Sequence, residues 1–206
     1  MVSISHGGDN TGKLQEILDE ARKRFTLFGF ERTTMNDIAS HVSMSKGSLY
    51  YYFPDKQSLF KAVIEQEQEE FFSEMRKRLK ILKTPEIMLR DFIGIRHEHF
   101  KTFLNLNIFR FADFQKIKPH IKETFTIFLA KETRVIESII QKGVGSGDFH
   151  CPDPAAMAAL FLDILQGLRM VVMQHRDYME LTTEDYNLIE ARHREFVELF
   201  IQVLMK

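Results

Sequence analysis

The sequence predicts an all-α protein of about nine helices, and three observations carry that prediction. Apolar residues recur at three- and four-residue steps along most of the chain, the mark of helices with one buried stripe. No run of alternating Val, Ile and Thr stands between turn residues, so strands lack their sequence signal. Only 10 Gly and 5 Pro occur in 206 residues, too few breakers for many short elements. A 44% hydrophobic content with Phe 19 supplies core for one large domain or two small ones.

The first helix is expected from about Thr11 to Phe28, where Leu14, Ile17, Leu18, Ala21, Phe25 and Phe28 form a stripe. Gly29 ends it as a C-cap glycine. Before it, the polar lead-in MVSISHGGDNTGK lacks the long apolar segment of a signal peptide. Two short helices joined by a tight turn follow over Thr33–Phe53, TTMNDIASHVSMSKGSLYYYF. Thr34 is placed to cap the first, with Asp37 at the capping-box spacing, and Ser43 or Ser45 to cap the second. Ile38, Ala39, Leu49 and Phe53 supply the inner side.

Asp55 caps a fourth helix carrying Leu59, Val63, Phe71, Met75, Leu79 and Leu82, interrupted by the acidic run Glu65–Glu70. It is long enough, at roughly 40 Å by the rise per residue, to connect two bodies. Thr84 and Pro85 begin the fifth, with Met88, Phe92, Ile95, His99 and Phe103 on one face. Asn105–Asn107 breaks it, and a Phe-rich segment with Ile108, Phe109, Phe111 and Phe114 follows. Lys118-Pro119 resets the chain into a helix bearing Ile121, Phe125, Phe128, Val135, Ile136 and Ile139. Residues Gly143–Gly147 read as a plain loop. Pro154 to about His175 leaves almost no polar face, as a helix buried on every side would. Asp163, Gln166 and Arg169 interrupt it too often for a membrane span. The last helix, about Glu184–Met205, is amphipathic.

What Thr33–Phe53 turns outward is Ser45, Lys46, Ser48, Tyr50 and Tyr51: short donors, a cation and flat amphipathic rings, a surface suited to phosphates and base edges. Thr34, Ile38, Ala39, Ser45, Lys46, Gly47, Leu49, Tyr50, Tyr52, Phe53, Lys56 and Leu59 make an S-K-G-x-L-Y-x-Y-F-x-x-K-x-x-L signature. This run resembles the helix-turn-helix of the tetracycline-repressor (TetR) family of bacterial transcription regulators, over roughly residues 13–62. Val42-Ser43 stands where that family usually has Ala-Gly in the turn. A serine held at positive φ there costs on the order of 1 kcal/mol.

The resemblance implies a DNA-binding domain over 11–62 and a ligand-binding and dimerising domain over 63–206. It implies a homodimer that binds double-stranded operator DNA, a repressor released by a small apolar or amphipathic effector; an activator, or a regulator answering to a protein partner, is the alternative. Lys46, Gly47 and Ser48 match its base-reading positions, and Thr34, Tyr50, Tyr51 and Lys56 its phosphate-contacting ones, with Ser45 beside them. Phe92, His99, Phe103, Phe109, Phe114, Phe125 and Phe128 are the candidate lining of an effector cavity. Leu165, Leu168, Phe196 and Phe200 are candidates for pairing the last two helices with their twins.

Other chemistries find little support. A net charge of −1 does not advertise a nucleic-acid binder, and residues 1–62 are only marginally basic. DNA binding must therefore rest on a local footprint of cations at Arg22-Lys23-Arg24, Arg32, Lys46 and Lys56. Cys151 is the single cysteine, which excludes an intramolecular disulfide and a cysteine-rich zinc site and suits a reducing cytoplasm. His97-Glu98-His99 puts its histidines on different helix faces, so one ion cannot easily take both. Glu190-x-x-His193 has di-iron spacing but no second such pair. Gly143–Gly147 has no preceding strand and no following Lys-Ser/Thr for phosphate. With no catalytic constellation, no cofactor, no metal and no membrane partner are expected, and a helix-bundle enzyme or metal carrier is the remote rival.

Overall fold

The computed structural model describes residues 8–81, 84–103, 111–173 and 182–205. They form eight helices and no strand: α1 Gly8–Arg32, α2 Met35–His41, α3 Lys46–Tyr52, α4 Lys56–Ile81, α5 Pro85–Phe103, α6 Phe111–Ser146, α7 Pro154–Met173 and α8 Thr183–Leu204. The chain divides into two compact units. The head comprises residues 1–67 with 105–122, and the body 68–104 with 123–206. Residues 105–110, which hold Phe109 and the expected helix break at Asn105–Asn107, lie outside the described residues.

In the head, α1 buries Ile17, Ala21 and Phe25, and Ile38, Ala39, Leu49, Leu59 and Phe60 are nearly or fully buried in the same unit. Phe25, Phe30 and Phe60 form a ring cluster with centroids 4.9–5.9 Å apart. The outer ends of the expected α1 stripe do not join this core. Leu14 and Phe28 are exposed, and Phe28 instead lies under the Arg24 guanidinium. Gly29 adopts φ 78° and ψ 168°, a geometry a side chain would resist, so the helical path breaks there before Arg32.

The body core joins the second half of α4 to α5, α6, α7 and α8 through Phe71, Met75, Leu89, Phe92, Phe128, Ile136, Phe161, Leu165, Val197 and Phe200. Ion pairs stitch its rim: Arg78 with Asp91 at 2.5 Å and Glu98 at 2.7 Å, and Arg90 bidentate with Glu198 at 2.7 and 2.9 Å.

Two expectations about α6 change. Pro119 does not begin a helix but sits inside one, so the expected sixth and seventh helices are a single element. A proline deletes one backbone hydrogen bond, and a 36-residue helix absorbs that loss. The glycine run is not a plain loop either. Gly143 and Gly145 continue α6, and the chain turns only at Gly147, φ 81°. There Asp148 and Phe149 donate their N–H groups to the Gly143 carbonyl at 2.9 and 3.0 Å. A Cβ on Gly143 would lie 2.2 Å from the Phe149 ring, so the glycine is required by close packing.

Candidate functional site

The candidate nucleic-acid face is built on two capped short helices. Thr34 is the N-cap of α2: its hydroxyl accepts from Asp37 N–H at 3.2 Å, and the Asp37 carboxylate accepts Thr34 N–H at 3.0 Å and Oγ1–H at 2.7 Å. Those two bonds from Thr34 hold the Asp37 carboxyl below its usual range. The turn then passes through Ser43 at φ 53°, the left-handed region that glycine enters without strain. Met44 N–H closes it on the Ala39 carbonyl at 2.9 Å.

Ser45 is the N-cap of α3, accepting from Ser48 N–H at 3.0 Å, with the two hydroxyls 2.8 Å apart. Leu49 is fully buried beneath, and Phe53 caps the far end from inside. The opposite side is open. Lys46, Gly47, Ser48, Tyr50 and Tyr51 are exposed, Tyr51 at 84%. The Lys46 ammonium sits 5.7 Å above the Tyr50 ring. Among the described residues nothing crowds Gly47, because a Cβ there would meet only the Ser45 hydroxyl at 3.9 Å. Space is therefore left for something other than the protein's own packing.

Lys56 is not part of that open face in the way expected. Its ammonium donates to the carbonyls of Phe30 at 2.7 Å, Thr33 at 3.0 Å and Glu31 at 3.4 Å, over the Phe30 ring at 4.3 Å. A lysine has three donors, and all three are committed to the end of α1. Burial holds its pKa down. Lys56 is thus a clamp that fixes α1 against α4, placed where carbonyls left unpaired at a helix end need a cation. Lys13 does the same for the turn, reaching the Val42 carbonyl at 2.6 Å.

In the body, Phe92 is fully buried with its ring 6.2 Å from Phe161, and Phe128 packs on Phe71 and Phe72. Phe125 and His99 are half-buried, with His99 on the Phe71 ring at 4.7 Å. The side chains of Phe103 and Phe114, like Phe109, lie outside the described residues. Leu165 and Phe200, expected at the dimer face, are core residues of the body. Leu168 and Phe196 are half-buried. The apolar residues exposed on these helices are instead Leu160, Met170 and Val171 of α7 and Leu188, Leu199 and Val203 of α8. Seen only as an apolar run, a helix does not reveal which apolar residues its own core takes first.

The body also buries a polar cluster in which Arg96 and Glu132 join the histidines His97 and His193. Arg96 Nε donates to Glu132 at 2.8 Å with both side chains almost wholly buried. His97 Nε2 lies 3.1 Å from His193 Nδ1, and His193 Nε2 donates to the Leu165 carbonyl at 2.9 Å. Burial pushes these histidines down to about 4 and about 3, so both are neutral at physiological pH. Arg96 and Arg169 stack their guanidinium groups at 4.7 and 5.7 Å from one ring, Phe100. The available signal was register. Arg96 follows Phe92 by one turn, and Glu132 lies midway between Phe128 and Ile136 on one apolar stripe. Among the described residues no group of three His, Cys, Asp or Glu is placed to hold a metal ion.

The model of bacterial regulatory proteins of the tetR family matches residues 17–63, the stretch that builds the core under α3. A crystal structure of a transcriptional regulator from Cytophaga hutchinsonii ATCC 33406 is 36% identical, with a TM-score of 0.85 over 95% of this chain and 100% of that one. The chain belongs to the TetR family. Its function is that of a helix-turn-helix transcriptional regulator. A curated TetR-like relative, the regulator UidR of Escherichia coli strain K12, is 28% identical over 74% of this chain and 77% of its own. The transcriptional regulator FadR from Bacillus subtilis, in complex with stearoyl-CoA, shares the TetR fold at 17% identity, with a TM-score of 0.61 over 92% of this chain and 98% of that one.

Proposed function

We propose that this regulator is a cytoplasmic repressor that binds operator DNA as a homodimer and lets go when a small amphipathic molecule enters its body. The observation that carries the reading is the open side of α3. Lys46, Gly47, Ser48 and Tyr51 project from a helix whose other side is anchored by Leu49, and the protein itself makes no use of the space above Gly47. Lys46 and Ser48 read base edges there, and the Tyr50 and Tyr51 hydroxyls, with Thr34 and Ser45 at the helix starts, face the phosphates.

A second copy covers the exposed apolar residues of α7 and α8, which exceed what scattered surface leucines explain. α7 is long and apolar enough to cross a membrane by composition. Its Phe161 and Leu165 are nevertheless committed to the body's core, and Asp163 and Arg169 interrupt it. Stearoyl-CoA in the FadR complex illustrates a ligand with a long apolar part. Release of DNA requires a coupling between sites of about 1–3 kcal/mol, five- to 150-fold in affinity. α4 can carry it, because Lys56–Glu67 belongs to the head and Gln68–Ile81 to the body.

Light scattering tests the assembly: the expected mass is twice 24.2 kDa, and a single-chain mass at micromolar concentration contradicts it. Selection of duplexes from a random library tests the rest. The expected product is a near-palindrome with half-sites a helical turn or a simple multiple apart. Recovery of no preferred sequence would overturn the reading.

A further inference from the structure

In the body, Nε of the half-buried Arg169, Oε2 of the buried Glu132 and the hydroxyl of the half-buried Tyr186 are themselves sealed from solvent, with no hydrogen-bond partner among the described residues. Buried polar atoms seldom stay unpaired, and a buried charge is costly unless it is met. The charges around them do not balance. Glu132 is engaged by Arg96, and the two buried histidines are neutral, so Arg169 is a cation with no ion-pair partner among the described residues. Its pKa falls only to about 10, through burial and the nearby Arg96 charge, so it stays protonated at neutral pH. Burial raises the Tyr186 phenol to about 12, which keeps it a neutral donor.

We infer that Arg169 and Tyr186 form the head-group site for a monoanionic ligand, a carboxylate carried on an apolar chain or ring. This rests on the reading of the body as the effector-binding unit and names the chemistry of the effector. Arg169 offers a planar fork that matches a carboxylate, and Tyr186 a further O–H donor. A single negative charge restores the balance. A phosphate dianion would overshoot it beside Glu132. The carboxylate approaches Arg169 and not Arg96, because Arg96 already holds Glu132. Phe100, under both guanidinium groups, gives the ligand's first carbons an apolar surface.

The test uses the full-length protein with decanoate and 4-phenylbutyrate, each beside its neutral amide, by thermal shift and calorimetry. At least one acid is expected to raise Tm and to bind about tenfold or more tightly than its amide, as a charge-assisted bond requires. Arg169→Met should bring the acid to the level of the amide while raising the Tm of the empty protein, since an unmet, half-buried charge is gone. Tyr186→Phe, which deletes an atom with no partner among the described residues, should fold normally and lose several-fold in acid affinity, and it decides the matter if the methionine variant does not fold. Amides binding as well as acids, or both variants keeping wild-type acid affinity, would overturn the anionic site and leave the effector reading standing. Binding of none of the four probes would overturn both.

Discussion

Head and body use charged side chains in opposite ways. In the head, Arg22 meets the buried Glu67 beneath the surface, Lys13 and Lys56 turn inward to backbone carbonyls, Lys13 also pairing with Glu16, and Lys46 stays at the surface on a helix whose outer side the protein leaves bare. In the body, Arg96, Glu132 and the His97–His193 pair meet away from water, among helices distant in sequence. A surface that binds a polyanion needs cations that water and DNA can reach. An interior that recognises one small molecule needs a few polar groups whose cost of burial is repaid by a partner. The contrast teaches that the recognition face of the head is organised around exposure and the polar cluster of the body around burial, and that substitutions in the two should fail differently.

The largest effect is expected where compensation is removed. Arg96→Met leaves Glu132 buried and unpaired, and the loss should be about 3–5 kcal/mol in urea denaturation. Substitution of both partners by apolar residues should recover most of it. If Arg96→Met cost no more than an average surface change, the Arg96–Glu132 pair would not be holding a buried charge.

The histidine pair gives the next effect. Both folded-state pKa values lie below the unfolded value near 6.5, so the unfolded chain binds more protons between about pH 6.5 and 4. Stability is fully present above that window and falls as pH drops through it, by up to about 1.4 kcal/mol per unit for each histidine. Denaturation at pH 7, 6 and 5 should show this decline, and His97→Leu should reduce its slope. A flat profile would mean that the pair is hydrated.

Much of the head was legible in the sequence because its determinants are local. Thr34 with Asp37, Ser45 with Ser48, Gly29 and the positive φ at Ser43 each involve residues within a few positions, or a single backbone angle. The carbonyl partners of Lys56 were not legible. They lie 23–26 residues back, and a lysine after a recognition helix reads equally well as a phosphate contact. In the body the helices could be predicted from periodicity, but the inward positions of Leu165 and Phe200 depend on which neighbours pack first. The Arg96–Glu132 pair joins α5 to α6, 36 residues apart, and the His97–His193 bond spans 96. Periodicity carries no information about such pairing.

Lys56 supplies the prediction that sharpens the comparison within the head. Lys56→Met should cost about 1–3 kcal/mol of stability through the carbonyls it abandons, and weaken DNA binding without lowering the slope of log affinity against log salt. A slope lower by about one would instead make it a phosphate contact. The smallest effect is at the turn. Ser43→Gly should stabilise the protein by up to about 1 kcal/mol, since φ 53° costs glycine little. A loss of stability in thermal melts would show that the serine side chain compensates for its backbone.

The central claim is that the exposed side of α3 reads DNA. Fluorescence anisotropy of wild type and Lys46→Ala, on the duplex the protein selects and on a random duplex across a salt series, tests it most directly. The account predicts unchanged folding and a gap between the two duplexes narrowed by about 1–3 kcal/mol. Equal affinities for both duplexes before and after the substitution would contradict it.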